Sequence, residues 1–158
     1  MPERWPGPSY KVRAVFQAPL DFVYRWCTDY TPQDARYEGE AYTRRILKSS
    51  PREVVYEDLE STKQGWFWTH HEVRLMPPNR WHSDSVGSHR AYSLDYHLTR
   101  LPGDRTQLTL TARRRPYGIG GKNPPKSQWE PSVALAWKHF GRSLERDYRK
   151  IAARRGKR

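Results

Sequence analysis

The residues able to do chemistry are few and scattered. His70 and His71 stand side by side, but neighbouring side chains of a strand point to opposite faces, so this pair cannot share one metal ion. His82, His89, His97 and His139 show no metal-ligand spacing, and there is one cysteine, Cys27. Neither a metal nor a cofactor is therefore expected. His71, on the apolar parity of its strand, could serve as a hydrogen-bond donor or general base. The other register of that strand would turn His70 inward instead. Asp84 and Asp95 fall on outward parity and form no acid–base pair. No Gly-x-Ser-x-Gly elbow is present. Gly118-Ile-Gly-Gly-Lys122-Asn123 lacks the spacing of a phosphate loop and follows no parallel strand. Arg114 continues the inward parity of Leu108, Leu110 and Ala112. There it could meet a carboxylate or phosphate, or snorkel to water.

Positive charge is abundant. Lys and Arg number 29 against 17 Asp and Glu, a formal net charge of +12. Arg142, Arg146, Arg149 and Lys150 lie in a terminal helical stretch, and more basic residues follow through Arg158. Such a face is a possible footprint for nucleic acid or an anionic surface, or a solvated helix face.

The elements that must position these residues follow from periodicity. Tyr10, Val12, Ala14 and Phe16 alternate with polar neighbours, as in a half-buried strand, with Val15 out of pattern. Pro19 precedes an apolar stripe of Phe22, Val23, Trp26, Cys27 and Tyr30 at helical spacing. Thr31-Pro32 stops that helix and begins a short second one through Ala35. Strands are predicted over 42–48, 53–60, 65–75, 80–86, 92–101 and 107–114, separated by short turns, which implies antiparallel hairpins. Residues 116–126 read as a loop. Ala134, Trp137, Phe140, Leu144, Tyr148 and Ile151 then recur at three or four residues, which predicts a long terminal helix. Ser127 and Glu130 have capping-box spacing, although Pro131 competes as the helix start. A flexible lead-in over 1–9, one domain over 10–153 and a basic tail over 154–158 are expected.

Composition supports a folded chain built on rings. The 11 Leu, 3 Ile, 8 Val and 4 Phe make about 16% of the chain, below the level at which high charge ordinarily means disorder. Yet there are 7 Trp and 10 Tyr, and each buried ring removes roughly 150–250 Å² from water. No apolar run reaches transmembrane length, and Met1 to Tyr10 has no leader-type apolar stretch. A cytoplasmic protein, not integral to a membrane, is expected.

The order of elements is strand, short helices, six strands and a long helix: an α+β chain with a seven-stranded antiparallel sheet. It resembles the SRPBCC superfamily, also called START-like or helix-grip proteins. The resemblance rests on Val15-Phe16-Gln17-Ala18-Pro19 with its following helix and on Val73-Arg74-Leu75-Met76-Pro77-Pro78-Asn79-Arg80-Trp81. Leu94-Asp95-Tyr96-His97-Leu98 before the Pro-Gly-Asp turn and the Trp137 helix also carry it. It is most similar to the polyketide-cyclase and coenzyme-Q-binding branches. It implies a curved sheet wrapped around the terminal helix, enclosing a cavity.

By alternation, that cavity would be lined by Trp26, Phe67, His71, Trp81, Tyr92, Tyr96, Leu110, Arg114, Trp137 and Phe140. The favoured register of 65–75 turns Phe67, Thr69, His71, Val73 and Leu75 inward, because it buries fewer charges. Trp66 and Trp68 then face outward, a patch suited to a homodimer. The resemblance implies binding or transport of a hydrophobic, aromatic or lipid-like small molecule. The alternatives are an aromatase/cyclase-type enzyme using His71, Tyr96 and Arg114, and a basic module for nucleic acid or anionic membrane.

Overall fold

The computed structural model describes residues 7–35, 42–117 and 121–157. Most of the expected lead-in, residues 118–120 of the glycine-rich loop, and Arg158 of the tail lie outside the described residues. The short second helix is entered at 34–35, and the chain beyond it also lies outside them.

The strands are β1 (Ser9–Phe16), β2 (Tyr42–Ser49), β3 (Glu53–Thr62), β4 (Gly65–Met76), β5 (Arg80–Gly87), β6 (Arg90–Leu101) and β7 (Arg105–Pro116). The helices are α1 (Leu20–Cys27) and α2 (Lys126–Arg155). All strands form one antiparallel sheet in the order β1-β7-β6-β5-β4-β3-β2. The fold is the α+β helix-grip arrangement. Short connections force each strand from β3 to β7 beside its predecessor. β1 then closes onto β7.

Register carries the inward face across the sheet in rows. Leu75, Trp81, Tyr96, Leu110 and Val12 form one row. Val54, Val73, Ser83, Leu94, Ala112 and Tyr10 form the next. Ile46, Tyr56, His71, Ser85, Tyr92 and Arg114 form a third. Val73 is wholly buried while Trp66 is 67% exposed, so β4 takes the register that turns His71 inward. That choice buries Val73 and keeps Glu72 and Arg74 in water. Outside, His82 is held between Asp95 at 2.7 Å and Asp84 at 2.8 Å.

The start of α2 departs from expectation. Pro125 is the N-cap and no side chain caps the helix, so the Ser127–Glu130 box does not form. Pro131 lies inside the helix. Glu130 instead accepts the backbone N–H of Lys11 at 2.9 Å, and Glu145 accepts that of Gln17 at 2.9 Å. β1 is a sheet edge, and these two carboxylates satisfy edge donors that water would otherwise take.

Gly141 sets how closely α2 approaches β1. A Cβ there would lie 2.9 Å from Cδ1 of Phe16, a ring that is 1% exposed and has little room to yield. Overpacking costs about 1–3 kcal/mol, and replacing a helical glycine by alanine returns about 1 kcal/mol. Gly141→Ala is therefore expected to lose about 1 kcal/mol in urea unfolding. A stabilised variant would show that the contact is loose.

Candidate functional site

Between the sheet, α1 and α2 lies a cavity of about 690 Å³. Three sources wall it. The sheet supplies Arg44, Tyr56, Asp58, His71, Trp81, Ser83, Leu94 and Tyr96. The first helix and the segment after it supply Phe22, Trp26, Cys27, Asp29, Tyr30, Thr31, Gln33 and Asp34. The long helix supplies Trp137, Phe140, Asp147, Lys150, Ile151 and Arg154. A concave site that combines aromatic and apolar surface with placed polar groups suits a small molecule.

Ring contacts run from helix to sheet. Trp26 meets Phe140 edge-on at 4.7 Å, and Phe140 meets Trp137 at 5.3 Å. Trp137 meets Tyr96 at 6.0 Å, and Tyr96 stacks on Trp81 at 4.7 Å. The Trp26 indole N–H donates to Asp147 at 3.0 Å, which fixes the orientation of that ring.

The polar wall is built around Arg44, whose side chain is 5% exposed. Its Nε and Nη2 donate to the two carboxylate oxygens of Asp58 at 2.8 and 3.0 Å. Its Nη1 donates to Asp34 at 2.6 Å, and its Nη2 also reaches the Tyr42 hydroxyl at 3.3 Å. The guanidinium sits 4.2 Å from the Tyr56 ring centre, a cation–π geometry. Burial opposes its charge, but the Asp58 hydrogen bond and nearby groups outweigh that and hold Arg44 firmly protonated. Asp34 in turn accepts from the Thr31 backbone N–H and hydroxyl at 3.1 and 2.9 Å.

His71 stacks on Tyr56 with ring centres 4.3 Å apart. Its Nε2 is 3.6 Å from Asp58, which is already engaged bidentately by Arg44. Burial first, then the charges of Arg44 and His70, lower its pKa to about 3. At neutral pH the imidazole is uncharged, so the His71–Asp58 contact is not an ion pair. Protonation explains one expected result. The unfolded state binds a proton near pH 6.5 that the fold refuses, so His71 makes stability fall as pH drops from there towards 3. His71→Gln is expected to flatten that acid slope by about 1.4 kcal/mol per pH unit. Urea titrations of both proteins between those limits check it, and parallel slopes would refute it.

The structure brings together six of the ten residues predicted to line the cavity: Trp26, His71, Trp81, Tyr96, Trp137 and Phe140. The other four lie elsewhere. Phe67 packs against His89 at 4.1 Å. Leu110 is 2% exposed within the core. Arg114 donates to the Tyr92 hydroxyl at 3.2 Å and to the Lys122 carbonyl at 3.3 Å, so Arg114 and Tyr92 hold the loop before α2 against the sheet. Inward parity runs across the whole sheet, but only the part between Arg44 on β2 and Leu94 and Tyr96 on β6 faces the open space.

Arg142, Arg146 and Arg149 are exposed on α2, while Lys150 stands at the cavity wall. The charged residues that sequence reasoning missed include Arg44, Asp58, Asp34, Asp29 and Asp147. The alternation Arg44-Ile46 opposite Tyr56-Asp58 was a usable signal, since two opposite charges facing each other across a hairpin form a natural pair. Cys27 is buried, and burial raises its thiol pKa, which leaves it unreactive. Among the described residues no group of three or more His, Cys, Asp or Glu could hold a metal ion, and no helix is long and apolar enough to cross a membrane.

No protein-family model and no curated protein matches the sequence. Solved structures match it in fold. An aromatase/cyclase, Zhui, from Streptomyces sp. R1128 aligns with a TM-score of 0.67 at 16% identity, over 88% of this chain and 94% of the other. A protein from Thermus thermophilus aligns with a TM-score of 0.67 at 14% identity, over 87% and 97%. A START superfamily protein from Mycobacterium smegmatis aligns with a TM-score of 0.64 at 14% identity, over 92% and 99%. The chain therefore has a START-like, helix-grip fold. At these identities the likeness extends to the fold alone.

Proposed function

We propose that this protein binds a hydrophobic, aromatic-bearing small molecule in the cavity between sheet and α2. The observation that carries the reading is the space itself. About 690 Å³ remains open among Trp26, Trp81, Tyr96, Trp137 and Phe140, although rings of this size could have filled it. Cores are normally packed without such voids. Leu94 faces the space from β6, so Leu94→Trp would fill part of it. Titration with an apolar fluorescent probe is expected to show saturable binding that falls about tenfold or more in this variant. Circular dichroism would confirm that the variant keeps its fold. Unchanged binding would place the probe elsewhere and sink the reading.

A second reading is an aromatase/cyclase-type enzyme, favoured by His71 and Tyr96 both facing the cavity. A general base works best with a pKa near the operating pH, and His71 at about 3 is far below it. Arg114, the third candidate, is engaged with Tyr92 and Lys122. The binding reading is therefore preferred. The exposed basic face of α2, with Arg142, Arg146 and Arg149, supports at most an accessory contact with an anionic surface. Steep salt dependence would be its signature.

A further inference from the structure

The ligand's chemistry can be narrowed from the charges that face the cavity, an inference that rests on the binding reading above. We propose that the cavity selects an aromatic or apolar molecule carrying a protonated amine, with the ammonium group placed beside Asp29 and Asp147 and against the neighbouring ring faces.

The inner cation cannot receive an anion. Arg44 has five N–H donors, and four are spent on Asp58, Asp34 and Tyr42. The fork that would grip a carboxylate or phosphate is closed. Two carboxylates, Asp34 and Asp58, share this one guanidinium, which leaves the polar wall with an excess of negative charge. Asp29 and Asp147 add to it. His71 contributes no positive charge at neutral pH. Lys150 and Arg154 also border the space from exposed positions on α2, so four carboxylates face three cations and the lining keeps a net excess of one negative charge.

The Asp29 carboxyl senses the same field. Burial first, then the charge of Asp34, with Asp147 adding, pushes it up to about 6. A place where a carboxylate holds its proton more tightly is also a place that favours an ammonium group.

The rings complete the site. Trp26, Phe140 and Trp137 form a contiguous group, and Asp147 bonds the Trp26 indole at 3.0 Å. A carboxylate beside aromatic faces is the combination that binds amines, by charge pairing and cation–π attraction together. The net charge of +12 does not oppose this. Charges on the outer surface are screened over about 8 Å at physiological salt, whereas the charges lining the cavity act at contact range.

The test uses three matched probes on the full chain at neutral pH: 2-naphthylethylamine, 2-naphthylethanol and 2-naphthylacetate, titrated by calorimetry. The amine is expected to bind about tenfold more tightly than the alcohol, and the acetate most weakly. Asp29→Asn and Asp147→Asn are each expected to reduce amine affinity several-fold more than alcohol affinity, so that the amine's preference over the alcohol shrinks; an equal loss for both probes overturns the inference. An alcohol that matches the amine, or an acetate that exceeds it, overturns the amine inference while leaving the cavity reading intact. If none of the three binds, both readings fail together.

Discussion

Arg44→Ala is expected to destabilise the protein by about 3–5 kcal/mol, the cost of removing one member of a buried ion pair. The reason lies with the groups left behind. Asp34 and Asp58 have side chains 11% and 16% exposed, and both take their charge compensation from this guanidinium. Removing it strands two carboxylates away from water. The Tyr56 ring also loses the cation packed 4.2 Å from its centre. For a chain of this size the loss corresponds to about 10 °C in thermal midpoint. Arg44→Met combined with Asp34→Asn and Asp58→Asn is expected to recover part of the loss, because the stranded charges are then gone. A single variant within about 1 kcal/mol of the parent would mean that the cluster is solvated and holds nothing. The cluster bridges β2, β3 and the segment after α1, so Arg44→Ala should also weaken binding of any cavity ligand.

Trp81→Ala is expected to cost about 3–5 kcal/mol, the usual range for removing a buried Trp or Phe ring. Trp81 is 1% exposed, stacks on Tyr96 and meets Tyr24 edge-on at 6.0 Å. It is both core and cavity wall, and that decides where in the range the loss falls. The space vacated by the indole joins the cavity, where water can enter, so the cost should lie nearer 3 than 5 kcal/mol. Trp81→Phe keeps a ring against Tyr96 and should lose about half as much. Denaturant unfolding of the pair measures both. A loss below about 1 kcal/mol for the alanine variant would show that the indole is not tightly held. The enlarged cavity gives a second readout, since it should accept a bulkier apolar probe than the parent does.

Much of the architecture was legible because alternation and helical spacing are local properties. Tyr10, Val12 and Phe16 had to share one face, and the turn at Pro102-Gly103-Asp104 had to return β6 onto itself as β7. Even the ambiguous β4 strand was decided by a local energetic rule, since burying Val73 costs nothing and burying Glu72 and Arg74 would. The cap of α2 was read wrongly for the opposite reason. Glu130 found its partner in Lys11, 119 residues away, and no local pattern announces such a bond.

The candidate site divides along the same line. By itself the sequence determined which rings point inward and that a long helix faces them, because side-chain parity follows from the period of the element. Only the tertiary structure decided which inward residues meet open space and which meet one another. Tyr92, Arg114 and Leu110 share their parity with His71 and Tyr96, yet where α2 lies and where the sheet stands away from it are set by long-range packing. The pairing of Arg44 with Asp34 and Asp58, and the neutrality of His71, likewise arise from distances between segments far apart in the chain. Composition counts those charges and says nothing of their company, and so a chain of net charge +12 can enclose a cavity whose inner wall is acidic.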